Sequence, residues 1–237
     1  MTHLKALSAP KTWKVKRKEK KFIVSHLPGP HNKKQAMPIA LLLRDILGVA
    51  NSLKEVKRLI NGKEVLVDKR KIKNYRFPVG FMDVVEFPKI KKYYRITLSE
   101  KGKLCPIEIS QKESDKKIVM ISNKTKLKKG FTQLNLNDGR NIKLKDKEAK
   151  KYKTEASLLI KLPEQEILEY MPFVKGMKVM VLAGKHIGEL ATIKEIIEFK
   201  GTQANKVTLV GENNKEYSTL ENYAFVVGNE KPVIKIR

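Results

Sequence analysis

Apolar residues between positions 39 and 61 recur at helical spacing. Ile39, Leu42, Leu43, Ile46 and Leu47 fall at i, i+3, i+4, i+7 and i+8, one apolar face, which predicts a helix over residues 39–47. Pro38 suits its first turn and Gly48 its end. A second helix is predicted over 52–60. Ser52-Leu53-Lys54-Glu55 forms a capping box, and Leu53, Val56, Leu59 and Ile60 cluster on one side. Asn61-Gly62 stops it, with Gly62 as the turn residue. The strand pattern 64–68, a basic turn Lys69-Arg70-Lys71 and a second strand over 82–87 complete the unit.

From about residue 93 the period changes to two. Strands are predicted at 94–98, 104–109, 117–122, 132–136, 141–144, 157–162 and 166–171. Asn137-Asp138-Gly139 lies between two alternating runs and signals a tight hairpin, because Gly139 tolerates positive φ. The polar, Lys-rich stretch 146–154 is an exposed loop or a short helix. Further on, residues 176–184 form a strand ending in a turn, 189–197 return, 207–210 add a third strand after a turn at 201–205, and 217–228 are again strand-like. Gly184 and Gly188 flank a Lys185-His186 tip and permit a tight bend with close backbone approach to a partner. The fold class is therefore α+β, multi-domain and mostly β, with a small twisted sheet or barrel downstream of the helices.

Charge turns this pattern towards function. The 237 residues carry 51 Lys plus Arg against 25 Asp plus Glu, a net +26. Residues 1–96 hold 24 basic and 7 acidic side chains, and 97–237 hold 27 and 18. That sign and size point to a polyanion, most simply nucleic acid, approached from the N-terminal side. Two helices and a strand edged with Lys and Arg then read as a small RNA-binding module. Lys54 and Arg58 point away from the apolar face of the second helix, with Lys57 on its flank. Lys63, Lys69, Arg70 and Lys71 continue the surface just downstream, and Arg44 belongs to the first helix. Contacts of this kind position phosphates.

Residues 1–37 read as a basic arm, with 10 basic residues and 1 acidic one, broken by Pro10, Pro28 and Pro30. Expected to have little to pack against in isolation, it would be ordered by threading along RNA. Its candidate contacts are Lys5, Lys11, Lys14, Lys16, Arg17, Lys18, Lys20 and Lys21, then His31, Lys33 and Lys34. Trp13 is available to stack on a base or to pack in a groove. Lys185 and His186 are the downstream candidates.

Other functions find little footing. His3, His26, His31 and His186 have no metal-like spacing with one another or with the single cysteine, Cys105. Gly184-Lys185 lacks the upstream glycine of a phosphate loop, and Asp138 beside Arg140 is better explained by the hairpin. Neither an enzyme, a cofactor nor a metal is expected. Cys105 alone forms no internal disulfide and suggests a reducing compartment. No apolar run reaches the roughly 18 residues of a membrane span, and the N-terminus lacks a signal-peptide core, so a soluble intracellular protein is expected.

Several motifs together resemble one family. They are His3-Leu4-Lys5, Ala9-Pro10-Lys11-Thr12-Trp13, Pro28-Gly29-Pro30-His31, Leu43-Arg44-Asp45 with Gly48, and Val67-Asp68-Lys69-Arg70. Tyr75-Arg76-Phe77-Pro78-Val79-Gly80-Phe81-Met82-Asp83-Val84, Gly184-Lys185-His186-Ile187-Gly188 and Asn222-Tyr223-Ala224-Phe225-Val226-Val227-Gly228 complete the set. Over essentially its whole length the chain resembles the small-subunit ribosomal protein family S-four-e of archaea and eukaryotes. The resemblance implies a basic N-terminal extension (1–37), an S-four-type αα-β RNA-binding domain (38–92) and a central small β domain (93–171). An SH3-like KOW β-barrel module (172–212) and C-terminal strands (213–237) follow. It also implies a structural role in the cytoplasmic small ribosomal subunit, with its ribosomal RNA and neighbouring ribosomal proteins as partners. Phe81 stands where that family's stretch has Leu, a conservative change. The chain ends at Arg237 without the tail associated with eukaryotic members, so an archaeal member is expected. The rival readings are a KOW-containing transcription or RNA-chaperone factor that binds RNA transiently, and an RNA-modifying or tRNA-charging enzyme, which would need a catalytic region that 97–237 do not offer.

Overall fold

The computed structural model describes residues 3–199 and 201–236, so Met1 and Thr2 of the expected extension and Arg237 of the expected C-terminal strands lie outside the described residues. Its contacts divide the chain into two units. The first holds residues through Ser99 with Lys103–Lys117 and Ile236, and the second holds Glu100–Gly102 and Ile118–Lys235.

The first unit begins with an arm that is folded rather than loose. Leu4–Lys5 (β1) pairs antiparallel with Phe22–Ile23 (β2). Trp13 lies between them in sequence and is only 1% exposed. Its indole N–H donates to the Ala36 carbonyl at 2.6 Å, so the ring is buried with its one polar atom satisfied. The Arg17 guanidinium donates to the carbonyls of Leu7, Ala9 and Pro10, and the Leu104 N–H donates to the Thr12 carbonyl. The expectation of an arm with nothing to pack against is thereby corrected. One buried tryptophan and a fan of carbonyl contacts hold it without RNA.

Ala36–Pro38 (β3) leads into the first helix, which is α over Ile39–Leu41 (α1) and widens to a π turn over Leu42–Ile46, the Leu47 N–H reaching the Leu42 carbonyl at 2.9 Å. Leu53–Asn61 (α2) starts on the expected box. The Ser52 hydroxyl accepts from the Glu55 N–H, and the Glu55 carboxylate accepts from the Asn51 N–H. Its stop differs from expectation: Gly62 keeps φ −71°, and Lys63 takes the left-handed position at φ 55°.

Leu66–Val67 (β4) and Arg70–Lys71 (β5) form a hairpin whose two turn residues, Asp68 and Lys69, both have positive φ (49° and 64°). The basic stretch 69–71 is thus half turn and half strand. Pro78–Gly80 (β6) pairs with β3, while Val84–Phe87 (β7), Lys92–Leu98 (β8) and Leu104–Glu108 (β9) extend the hairpin into a sheet ordered β5-β4-β7-β8-β9. Gln111–Ser114 (α3) ends this part.

Lys116–Leu127 (β10), twelve residues rather than the six expected, begins in the first unit and runs into the second. With Phe131–Leu136 (β11), Asn141–Lys145 (β12), Ser157–Lys161 (β13) and Glu166–Met171 (β14) it makes a sheet ordered β12-β11-β10-β13-β14. Asp146–Ala149 (α4) follows β12. Val119, Ile121, Leu134, Leu136, Leu158, Ile160 and Leu162 form its core. The strands Lys178–Val181 (β15), Leu190–Ile197 (β16), Lys206–Gly211 (β17), Glu216–Leu220 (β18) and Ala224–Gly228 (β19) form a third five-stranded sheet, ordered β18-β17-β16-β15-β19. Strands expected to stand apart after residue 212 are therefore its two edges.

Truncating Trp13→Ala is expected to lower the stability of the first unit by about 3–5 kcal/mol, the usual loss for emptying a buried aromatic site. Chemical denaturation of the full chain measures it; an unchanged midpoint would show that the arm is not part of the core.

Candidate nucleic-acid interface

Helix α2 buries Val56 and Ile60 and leaves Lys54, Lys57 and Arg58 exposed, because at 3.6 residues per turn Lys54 and Arg58 stand opposite the buried pair and Lys57 on its flank. Lys57 Nζ rests 4.9 Å above the Tyr75 ring. The acid on this surface, Glu55, is committed to the cap. The Asn51 N–H and the Ser52 hydroxyl hold its carboxyl below the usual range, so it stays ionised in place. Lys63, exposed after the helix, and Arg70 and Lys71, exposed on edge strand β5, are further cations of this unit.

The arm contributes Lys5, Lys11, Lys14, Lys16, Lys18, Lys20, Lys21 and Lys34 as exposed side chains and Lys33 as a half-buried one. Lys14, Lys16, Lys20, Arg44 and Lys103 line one cavity of about 450 Å³ together with Phe22 and Glu19. Arg44 is fixed there by a bidentate bond to Asp45, at 2.7 and 2.8 Å. This hollow brings together cations from the arm, the π turn and the loop before β9.

Four expected contacts lie elsewhere. Trp13 is core, which leaves its packing role and removes its face from any base. Arg17 spends its guanidinium on the arm's own carbonyls. His31 is 8% exposed, and its Nε2 lies 2.9 Å from both oxygens of Asp83. Lys69 points inward. Its ammonium meets Glu86 at 2.9 Å, Asp115 at 2.7 Å and the Ser114 hydroxyl at 3.2 Å. Burial alone would depress its pKa, yet hydrogen bonds to Asp115 and Glu86 raise it overall.

Sequence reasoning missed the group around which these residues gather. Lys117 is 1% exposed and bonds Asp68 Oδ2 at 2.7 Å and Asp83 Oδ1 at 2.6 Å. Asp68 also accepts from the Val84 N–H and Asp83 from the Gly80 N–H, so each carboxylate is bound from both sides. Burial pushes the Asp83 carboxyl up most strongly. The attraction of His31 and Lys117, with hydrogen bonds from His31 and Gly80, outweighs it and holds the carboxyl well below the usual range. The available signal was Asp83 itself, an acid inside the apolar run Phe81-Met82-Asp83-Val84-Val85.

In the second unit Gly184 and Gly188 have φ of 95° and 86° and bend the loop that exposes Lys185. His186 is held rather than free: its ring stacks on Tyr217 at 3.9 Å, and Nδ1 lies 3.1 Å from a Glu189 oxygen. Gly139, at φ 75°, closes the β11–β12 hairpin, where the Asp138 carboxylate accepts from the Arg140 N–H. Among the described residues no group of three His, Cys, Asp or Glu side chains is placed to hold a metal ion, and no helix is long and apolar enough to cross a membrane.

Comparison with known proteins adds kinship to geometry. The RS4NT (NUC023) domain matches residues 2–34, the S4 domain 37–85 and the Ribosomal family S4e 90–167. The small ribosomal subunit protein eS4 of Archaeoglobus fulgidus is 43% identical over 237 residues, covering 99% of this chain and 97% of that protein. The same protein of Methanocaldococcus jannaschii is 43% identical over 99% of this chain and 97% of its own length, and that of Ignicoccus hospitalis is 40% identical over 99% and 94%. A crystal structure of the 30S ribosomal protein S4e from Thermoplasma acidophilum aligns with a TM-score of 0.69 at 25% identity, over 82% of this chain and 96% of that one.

Two outcomes test the buried network. Lys117→Met strands two buried carboxylates and should destabilise the first unit by about 3–5 kcal/mol. Because the Asp83 carboxyl is depressed in the folded state, its contribution is fully present above the ordinary carboxylate range and is lost as pH falls below it. An Asp83→Asn variant should therefore lose less stability than wild type between neutral and strongly acid pH, read as unfolding midpoints against pH. Parallel curves would refute the assignment.

Proposed function

Because this chain belongs to the S4e family of small-subunit ribosomal proteins, we infer that it is a structural constituent of the small ribosomal subunit, held there by ribosomal RNA and neighbouring ribosomal proteins. Its place is the cytoplasmic ribosome, and its work is binding and positioning, without catalysis. The observation that carries this reading is 43% identity to eS4 proteins along almost the whole of both chains. The cations exposed on α2, on β5 and around the arm's cavity supply the means, since each can neutralise a phosphate.

On this reading the division is an N-terminal extension over 1–37, an S-four-type RNA-binding domain over 38–92, a central β domain over 93–171 whose first strands, β8 and β9, join the sheet of β4, β5 and β7, and a KOW module over 172–212 whose sheet the C-terminal strands over 213–237 complete. The glycine-flanked Lys185 loop between two paired strands, β15 and β16, supports the KOW assignment. The RNA contacts are Lys54, Lys57, Arg58, Lys63, Arg70 and Lys71, joined by Arg44 and the exposed lysines of the arm, with Lys185 downstream. A transiently bound transcription or chaperone factor leaves the kinship of the arm and the central domain unexplained.

Replacing Lys54, Lys57 and Arg58 together by Glu should weaken RNA binding and make the log–log salt dependence shallower by about 2–3 units, with the fold intact because all three are exposed. Titration of the purified chain with small-subunit RNA at several salt concentrations checks this; an unchanged slope removes these residues from the interface. In a cell lysate the chain should sediment with the small subunit at equal stoichiometry through moderate salt. Migration at the top of the gradient, or with RNA polymerase, would favour the transient factor.

A further inference from the structure

The β10–β11–β12 sheet carries a face that the functional reading above does not use. Its strands alternate, so Thr132, Leu134 and Leu136 are buried while Phe131, Gln133 and Asn135 lie on the opposite side, half exposed. The register aligns them with their neighbours in three rows: Asn123–Asn135–Asn141, Thr125–Gln133–Lys143 and Leu127–Phe131–Lys145. Six of these nine side chains, those on β10 and β12, are exposed. None of the nine is an acid, and residues 118–137 hold four lysines and no acid.

The chemistry of the rows is unusual for a solvated sheet face. Four positions are carboxamides, which offer donors and acceptors without charge. The Gln133 amide donates to Asn135 Oδ1 at 2.7 Å along β11, and the Asn135 amide donates to Thr125 Oγ1 at 3.1 Å across to β10, which fixes the orientation of both groups. The Phe131 ring sits at one end of the face, with Lys143 Nζ 4.1 Å from its centroid. Leu127, 38% exposed, extends the apolar end beside it.

We propose that the outer face of β10–β12 binds single-stranded RNA, with Phe131 as the stacking platform, the Gln133, Asn135, Asn123 and Asn141 amides as base-edge partners, and Lys143 and Lys145 as phosphate contacts. Charge complementarity selects the occupant. A cationic, acid-free face fits a polyanion, while a sheet face with an aromatic and oriented amides fits unstacked bases rather than a duplex, whose base edges are paired away. Rows two residues apart repeat at about 6.6–6.8 Å along the strand, a spacing that an extended single strand follows with one nucleotide per row. A base takes the ring face that Lys143 now covers, and the displaced ammonium turns to the adjoining phosphate. The proposal rests on the reading of the chain as an RNA-binding protein, and it adds to phosphate contacts a surface able to distinguish single strands from duplex.

The test uses the full chain, a short single-stranded RNA of mixed sequence and a duplex of the same length. Phe131→Ala should raise the Kd for the single strand about tenfold, as loss of one stacked base does, and leave the Kd for the duplex unchanged. Because Phe131 is half-buried, a second variant guards against misfolding: Gln133→Glu with Asn135→Asp keeps the shapes and reverses the electrostatics, and it should act in the same selective way. Ultraviolet crosslinking of the single strand should place adducts on the peptide that contains Phe131. Unchanged single-strand affinity in both variants, or equal weakening for both RNAs, overturns the proposal. The Lys54, Lys57 and Arg58 triple-Glu variant separates the two readings. If it loses duplex binding while the Phe131 variants bind normally, the sheet face fails and the RNA-binding role stands.

Discussion

An ammonium almost without water, Lys117, sits between two carboxylates that belong to different parts of the first unit. A charge in that position is tolerable only with partners on every side, since its desolvation runs to several kcal/mol when unmatched. Asp68 comes from the turn of the β4–β5 hairpin, Asp83 from the residue before β7, and Lys117 from the start of β10. His31 brings the end of the arm to the same point through Asp83. Gly80 is required there as well, because a Cβ on it would stand 2.5 Å from the His31 ring. Four chain segments are therefore registered against one another by a single group of charges, and the apolar packing around them is built on that registration.

This arrangement sorts the cations of the chain into two kinds. Because Asp68 and Lys69 both occupy left-handed turn positions, the hairpin sends Lys69 inward to Glu86 and Asp115 while Arg70 and Lys71 stay outside. Lys117, Arg17 and Arg95 are likewise turned to the protein: Arg95 is fully buried and donates to the carbonyls of Glu113 and Lys116. The formal charge of +26 thus overstates what is offered to RNA. The cations on α2 and β5 and the exposed lysines of the arm are among the described ones free of deep commitments.

Periodicity carried much of the fold. The capping box at Ser52, the apolar side of α2 and the alternating strands from residue 93 were readable because local spacing alone determines them. What escaped was set by distant partners. Trp13 is buried by an acceptor at Ala36, beyond any local pattern, so a charged and proline-broken stretch concealed a core residue. Lys117 opened a predicted strand, and nothing nearby reveals that it meets an aspartate 49 residues earlier. Lys63 took the left-handed position expected of Gly62, a choice made by how the chain leaves the helix towards β4. The interface followed the same rule: exposed lysines were legible as a class, and which of them face inward was not.

The buried arm also has a consequence in time. Trp13 is made early, yet the backbone N–H that closes on the neighbouring Thr12 carbonyl belongs to Leu104. At synthesis rates of roughly 5–20 residues per second, about 5–20 s separate the two during translation. Through that interval the most basic part of the chain stands with the Thr12 carbonyl still without its β9 donor. The order of synthesis therefore makes the arm well before the strand that closes on it, so the bond to β9 is among the last the arm can form.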